Sequence, residues 1–328
     1  MRMQTRQIEV AAACAFTLFA VACRSASSSR AVVPDDRVVV AGLPPGVSAI
    51  RVNGTILTYR DSTSATSASR IPVVFIHGTN TGLDMAPAQF RAFAGRGRTL
   101  TYSRRFHAPN PVSPDDTATY SAALHADDLA AFLRATKSAP ADIVGSSYGG
   151  LVALVLAMRH PEVVHSLVLA EPAVVGALAG TPSGDSLRHL AYNSLAPARG
   201  LMQRGDSAGA VAMFGDITGG PGSFARLPAG VQQYLLGYRG ELARELAAPE
   251  DAWLPPLDCN ELKNIKTPTL VLLGDHGQRL FGIASRTVAR CLPNARLEVI
   301  PNSGHVIAID NPAAFTNSVK AFLDSLPR

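Results

Sequence analysis

Hydrophobic and polar positions along this chain alternate between two rhythms. Ile71-Pro72-Val73-Val74-Phe75-Ile76 is an apolar, β-branched run without alternation, as expected of a strand covered on both faces. Helical spacing follows over residues 85–94, a strand over 99–103 and a helix over 121–137. The spacing then predicts a strand at 142–144, a helix over 148–159 and a strand over 166–170. Upstream, residues 49–60 read as two strands turning at Asn53-Gly54, a dipeptide suited to the tight turns of hairpins. After Glu171 the rhythm breaks. Residues 172–258 are rich in Gly and Pro, show no clear strand and carry only patches of helical character, as over 231–246. Alternation resumes with a strand over 269–273, a helix over 282–291, a strand over 296–300 and a helix over 312–326. Strands alternating with helices predict a mostly parallel sheet with helices on both faces. The predicted core spans residues 38–171 and 259–328, with a helical cap inserted at 172–258.

Composition narrows the function. The chain has 328 residues, 47% hydrophobic and 17% charged, enough apolar material for a sizeable core. Its formal charge of +5 is spread among acids without runs of one sign, which gives no nucleic-acid footprint. The first residues have their own character: Arg2 and Arg6 precede an apolar run from Val10 to Ala22. That run is too short to span a bilayer and suits a signal segment over residues 1–22. Ala22-Cys23 followed by a Ser/Ala tether over 23–37 resembles a bacterial lipobox. The expectation is export, with Cys23 lipidated and the protein held at a membrane. Cys259 and Cys291 remain after Cys14 and Cys23 are set aside, a pair expected to form a disulfide in an oxidising compartment.

The chemistry centres on Gly145-Ser146-Ser147-Tyr148-Gly149. The pattern G-x-S-x-G arises by chance in about one chain in ten of this length, so context decides. Here it follows a predicted strand and opens a predicted helix, the setting of a nucleophile elbow. A serine hydroxyl needs a base to remove its proton. His305, in Asn302-Ser303-Gly304-His305, lies after the last strand and returns to the sheet edge where Ser147 sits. Two N–H groups are needed for an oxyanion. Tyr148 offers one. Thr79, in His77-Gly78-Thr79-Asn80 after the first core strand, is the preferred second, ahead of Asn80.

These features, with Asn311-Pro312 after the histidine, resemble the α/β-hydrolase superfamily from about residue 47 to 326. The resemblance implies an eight-stranded, mostly parallel sheet and a triad in the order nucleophile, acid, histidine. The chain departs from the common pattern at the acid. The usual slot, three residues after Gly274, holds Gly277. Glu171, at the end of the strand before the cap, is the preferred acid. Some haloalkane dehalogenases resemble it in placing their acid there. Asp275 is the runner-up.

The resemblance implies hydrolysis of a small or medium apolar ester-like substrate through an acyl-serine, with no metal or organic cofactor. A carbon–carbon-bond hydrolase, a cofactor-free haloperoxidase-like enzyme and an aminopeptidase would use the same triad. The last would need a cap carboxylate, for which Glu241, Glu245, Glu250 and Asp251 are available. A binding protein on a degenerate scaffold is the non-enzyme alternative. Leu178, Leu187, Leu195, Met202, Met213, Phe214 and Leu235 are available in the cap for an apolar pocket. Phe106 and His107 belong either to the substrate entrance or to a Pro-stiffened surface loop.

Overall fold

A computed structural model describes residues 36–62, 70–85, 87–113 and 116–327. The signal segment, Cys23 and nearly all of the tether lie outside the described residues. Among the described residues nine strands form one sheet in the order β1-β2-β3-β5-β4-β6-β7-β8-β9. They are β1 (Arg37–Val38), β2 (Ser48–Val52), β3 (Thr55–Asp61), β4 (Val73–Ile76), β5 (Thr99–Tyr102), β6 (Ala141–Ser146), β7 (Val164–Ala170), β8 (Thr269–Gly274) and β9 (Ala295–Ile300). The first three pair antiparallel and β3 joins β5 in the same sense. From β5 to β9 every pairing is parallel. The expected eight strands gain a ninth, the two-residue β1, too short to leave a pattern in the sequence. Asn53 and Gly54 form the β2–β3 turn, both with positive φ (46° and 74°).

Helices α1 (Pro87–Ala94), α2 (Ala122–Ala135) and α3 (Tyr148–Arg159) connect the first core strands. Between β7 and β8 the chain runs through α4 (Pro182–Ser194), α5 (Ala196–Gln203), α6 (Ser207–Gly219), α7 (Ser223–Arg226), α8 (Ala229–Leu236), α9 (Arg239–Leu246) and α10 (Glu250–Trp253). After α11 (Cys259–Leu262), β8 is followed by α12 (Arg279–Cys291), β9, α13 (Ile307–Asp310) and α14 (Pro312–Ser325). The block over 172–258 is thus more helical than its sequence suggested. The single helical patch over 231–246 is two helices, with Gly237 as the C-cap of α8. The interior strands β4 and β8 are buried along their whole length. One apolar cluster packs α2 and α3 on one face of the sheet, and a second packs α14 on the other.

Neighbouring strands β4 and β6 lead in opposite directions across the sheet, since β5 lies on the far side of β4. Sites in open parallel sheets form at such reversals, beyond the carboxyl ends of the strands. The loop after β4 carries residues 77–80 and the turn after β6 carries Ser147. The disulfide expected between Cys259 and Cys291 is present. It ties the start of α11 to the last residue of α12, with Cα atoms 5.0 Å apart.

Candidate active site

Ser147 stands between the last residue of β6 and the first of α3 with φ 53° and ψ −122°. Positive φ in a residue bearing a Cβ costs about 1–3 kcal/mol and persists only where the surroundings enforce it. Here they do. Ser147 N–H donates to Ala170 O of β7 (3.0 Å), while Ser147 O accepts from Gly150 (2.9 Å) and Ala173 (3.0 Å). The turn also needs its glycines. A Cβ on Gly145 would sit 2.7 Å from the carbonyl carbon of Gly149, and one on Gly149 would sit 2.9 Å from that of Ile76. The sequence Gly145-Ser146-Ser147-Tyr148-Gly149 therefore dictates a sharp bend that presents the hydroxyl at the N-terminus of α3.

His305 arrives from the loop after β9. Its Nε2 is 3.0 Å from Ser147 Oγ, and its Nδ1 is 2.9 Å from Glu171 Oε2. The Glu171 carboxylate is fully buried, and its second oxygen accepts the N–H of Gly274 (3.0 Å). Glu171 also has positive φ (40°), and its own N–H donates to Leu272 O of β8 (2.9 Å). A carboxylate accepting Nδ1–H fixes the tautomer that leaves Nε2 bare toward a hydroxyl, the geometry of nucleophilic catalysis.

Asp275 is placed differently. Its Oδ1 accepts the N–H of Ser303 (3.0 Å) and lies 2.7 Å from His276 Nδ1. The Ser303 backbone N–H holds this carboxyl below the usual range. Asp275 therefore braces the loop that carries His305 and makes no hydrogen bond to the imidazole. The glycine in the usual acid slot also has a physical reason. A Cβ on Gly277 would lie 3.0 Å from Glu171 Cδ and closer still to Oε1. The glutamate fills the space that a side chain at 277 would need.

On the opposite side of Ser147, Gly78 approaches closely enough that a Cβ there would meet Ser147 Cβ at 3.1 Å. Thr79 is next. Among the described residues, the backbone N–H groups of Thr79 and Tyr148 have no acceptor outside regular secondary structure, whereas Asn80 N–H donates to Glu241 Oε2 (3.2 Å). That engagement removes Asn80 as the alternative donor. His77, a packing residue by sequence, is buried, and its Nε2 accepts the Arg104 N–H (3.0 Å).

Two cavities, of about 200 and 280 Å³, open from the serine, and Ser147, Thr79, Phe214 and Thr218 line both. The first extends to Val211, Leu227 and Leu235, the second to Leu195, Ile217 and Leu254. Of the apolar cap residues anticipated, Leu195, Phe214 and Leu235 reach a cavity, and Leu178, Leu187, Met202 and Met213 do not. Among the described residues, no Arg, Lys, Asp or Glu lines either cavity.

Some expectations fail. Phe106 and His107 are neither at an entrance nor on a surface loop: both are buried, His107 completely. Arg104 and Arg105 cause this, because each finds its partners inside. Arg104 donates to the carbonyls of His77 (3.2 Å) and Gly78 (3.0 Å), and Arg105 pairs with Asp128 (2.6 Å). The cap carboxylates do not face the cavities as an amine site requires. Glu241 and Glu245 are buried away from them, and Glu250 and Asp251 pair with Arg188. Sequence reading also missed Phe281, whose ring stacks on His305 (centroids 3.9 Å apart, planes 22° apart). An isolated aromatic at the start of a helix gives no signal of such a role. Among the described residues no group of three or more His, Cys, Asp or Glu is placed to hold a metal ion.

Comparison with known proteins agrees with this fold. Residues 71–312 match the α/β hydrolase fold family. The chain is 28% identical over 272 residues to the mouse sn-1-specific diacylglycerol lipase ABHD11, covering 76% of this chain and 80% of that one. It is 30% identical over 267 residues to a 2-hydroxymuconate semialdehyde hydrolase of Pseudomonas sp. strain CF600, covering 78% and 88%. A crystal structure of a hydrolase from Pseudomonas aeruginosa PA01 superposes with TM-score 0.70 at 25% identity, covering 86% and 100%. With the fold, the elbow and a family match across most of the chain in agreement, the protein belongs to the α/β-hydrolase family.

Proposed function

We propose that this protein is a serine hydrolase that cleaves an uncharged, apolar ester through an acyl-enzyme on Ser147. The observation that carries the reading is the hydrogen-bonded line Glu171–His305–Ser147, with contacts of 2.9 and 3.0 Å. His305 Nε2 takes the hydroxyl proton as Ser147 Oγ attacks the ester carbonyl. The N–H groups of Thr79 and Tyr148 stabilise the oxyanion, and the positive end of α3 adds to them. His305 returns the proton to the leaving alcohol. Water then attacks the acyl-serine with His305 again as base, releasing the acid.

The cavities support the substrate class. An acyl chain in one arm and an alcohol in the other would each meet apolar walls, with the carbonyl at the junction. A lipid ester, as the name of the mouse relative implies for that protein, has this two-armed form. Carbon–carbon-bond hydrolysis is the second reading, favoured by the 30% identity to a 2-hydroxymuconate semialdehyde hydrolase. A muconate semialdehyde is an anion, however, and among the described residues neither arm offers Arg or Lys to balance it. We also propose that the protein acts after export, anchored through Cys23. The apolar run ending at Ala22-Cys23 and the Cys259–Cys291 disulfide support this, since disulfides persist in oxidising compartments.

Labelling by a fluorophosphonate probe tests the mechanism, and p-nitrophenyl esters of graded chain length test the substrate. Labelling and hydrolysis should both vanish in Ser147→Ala. A wild-type chain that takes no label and hydrolyses no ester refutes the reading.

A further inference from the structure

Glu241 and Glu245 lie four residues apart on α9, which places them on one face of the helix, and both are buried. They reach across to the loop that carries the oxyanion donor. Glu245 Oε1 accepts the Thr79 hydroxyl (2.6 Å) and the Trp253 indole N–H (2.7 Å), while Glu241 Oε2 accepts Asn80 N–H (3.2 Å). Tyr120 Oη stands between the pair, 3.0 Å from Glu241 Oε1 and 2.9 Å from Glu245 Oε2. Arg104 grips the same loop from its other side, through the carbonyls of His77 and Gly78, and also donates to Tyr120 Oη (2.9 Å). Residues 77–80 are thus held by a core arginine on their carbonyl side and by two cap carboxyls on the other. The grip bears directly on the backbone, since Asn80 has φ 56°.

We propose that Glu241 and Glu245 form a single-proton latch that fastens the cap to the oxyanion loop and positions the Thr79 N–H. The inference rests on Thr79 being an oxyanion donor. Two carboxyls this close in a buried site cannot both ionise beside one guanidinium, so the pair shares a proton and titrates as a unit. Burial, reinforced by Glu241, pushes Glu245 up to about 8, and burial raises Glu241 as well.

Among the described residues, the titratable and charged groups that face the pair are Arg104, His77, His125 and His107 from the core, with His107 Nε2 2.7 Å from Glu241 Oε1, together with Tyr120 and Tyr148, and Tyr238 of the cap. Burial holds the three histidines well below 6.5, and burial raises the three tyrosines above 10. Arg104 stays charged. A transition near pH 8 in this network therefore belongs to the carboxyl pair. The sign follows: the folded state holds a proton that the unfolded chain has released above its ordinary pKa. The latch is intact below about pH 8 and weakens as pH rises through it.

Trp253 is the only tryptophan in the chain and donates to Glu245, so its fluorescence reads the latch independently of activity. The experiment titrates the folded protein from pH 6 to 10 by tryptophan emission and, in parallel, by kcat and KM on a p-nitrophenyl ester. Wild type should show one emission transition near pH 8 and roughly a tenfold fall in kcat across it, with KM nearly constant. Glu245→Gln keeps the acceptor for Thr79 and Trp253 and turns its amide N–H toward Tyr120, imitating the protonated pair. It should lose both the transition and the alkaline fall. Glu245→Ala should lower kcat roughly tenfold at pH 7, a loss that Glu245→Gln restores. The latch is overturned if wild type shows no transition or if Glu245→Gln retains it. An unchanged alkaline fall of kcat in Glu245→Gln overturns the positioning of Thr79. If wild type neither hydrolyses esters nor takes a fluorophosphonate label, the enzymatic reading fails, while the emission titration still decides the latch.

Discussion

Replacing Glu171 by Gln separates the two carboxylates near His305 most sharply. The native carboxylate accepts two N–H groups, from Gly274 on Oε1 and from His305 Nδ1 on Oε2. An amide presents one acceptor and one donor. The Gly274 backbone N–H cannot move, so the amide oxygen stays with it and the NH2 group turns to the imidazole. Nδ1 must then become the acceptor, the proton shifts to Nε2, and Nε2 no longer accepts from Ser147. Loss of the correct tautomer in this arrangement costs about 10⁴-fold in kcat, or about 5 kcal/mol of barrier. Folding should survive, because Gln matches Glu in size and removes a buried charge. Asp275→Asn keeps an acceptor for Ser303 N–H and leaves the imidazole alone, so its loss should stay below about tenfold. The assay is kcat on a short p-nitrophenyl ester, normalised to active sites by burst titration, with circular dichroism confirming the fold. A fall of about 10³-fold or more in Asp275→Asn, with Glu171→Gln within about tenfold of wild type, would refute the assignment of Glu171.

Two further outcomes follow from geometry. Gly277→Ala pushes a methyl group into the Glu171 carboxylate, 3.0 Å from Cδ; kcat should fall about 10²-fold as the imidazole loses its alignment, and steady-state kinetics showing wild-type kcat would contradict the packing account. Opening the Cys259–Cys291 disulfide, which spans 32 residues, should destabilise the fold by about 4 kcal/mol in the chain-entropy treatment. For a chain of this size that lowers Tm by about 6 °C, measurable by calorimetry with and without reductant.

Much of the candidate site's geometry was legible because its signals are local. The elbow needs small residues within two positions of Ser147, and the helix over 148–159 begins where the sequence places it. A glycine at 277 emptied the usual slot and left Glu171 and Asp275, and the resemblance to some haloalkane dehalogenases favoured Glu171; the structure puts its carboxylate 2.9 Å from His305 Nδ1 and shows what fills the space at 277. The cap was harder to read. Helix α6 contains Gly209 and Gly215, poor helix formers, and is secured instead by Asp206, whose side chain caps Gly209 N–H at 2.8 Å. The latch was invisible for another reason. Thr79 and Glu245 are 166 positions apart, Tyr120 and Glu241 121 apart, and nothing in a local pattern links such groups. The acidic pair was noticed, but as possible contacts for an amine. Burial, which the sequence does not record, reverses that reading.

The place of Glu171 at the end of β7 bears on how strain is held. Ser147 and Glu171 are both left-handed residues bearing side chains, a conformation that relaxes unless it is enforced. Both lie one residue beyond a strand, and the sheet's hydrogen bonding continues past each. Ser147 N–H reaches Ala170 O at the end of β7, and Glu171 N–H reaches Leu272 O in β8. The bond from Ala173 N–H to Ser147 O then closes the segment after Glu171 back onto Ser147. An acid on the loop after β8 would have no such direct backbone tie to the elbow. Here Ser147 and Glu171 follow adjacent strands, joined by the same backbone hydrogen bonds that strain them, and the helical block over 172–258 begins immediately after. The block over 172–258 thus starts directly after the carboxylate that meets His305 Nδ1, and its helix α9 reaches the loop that carries Thr79.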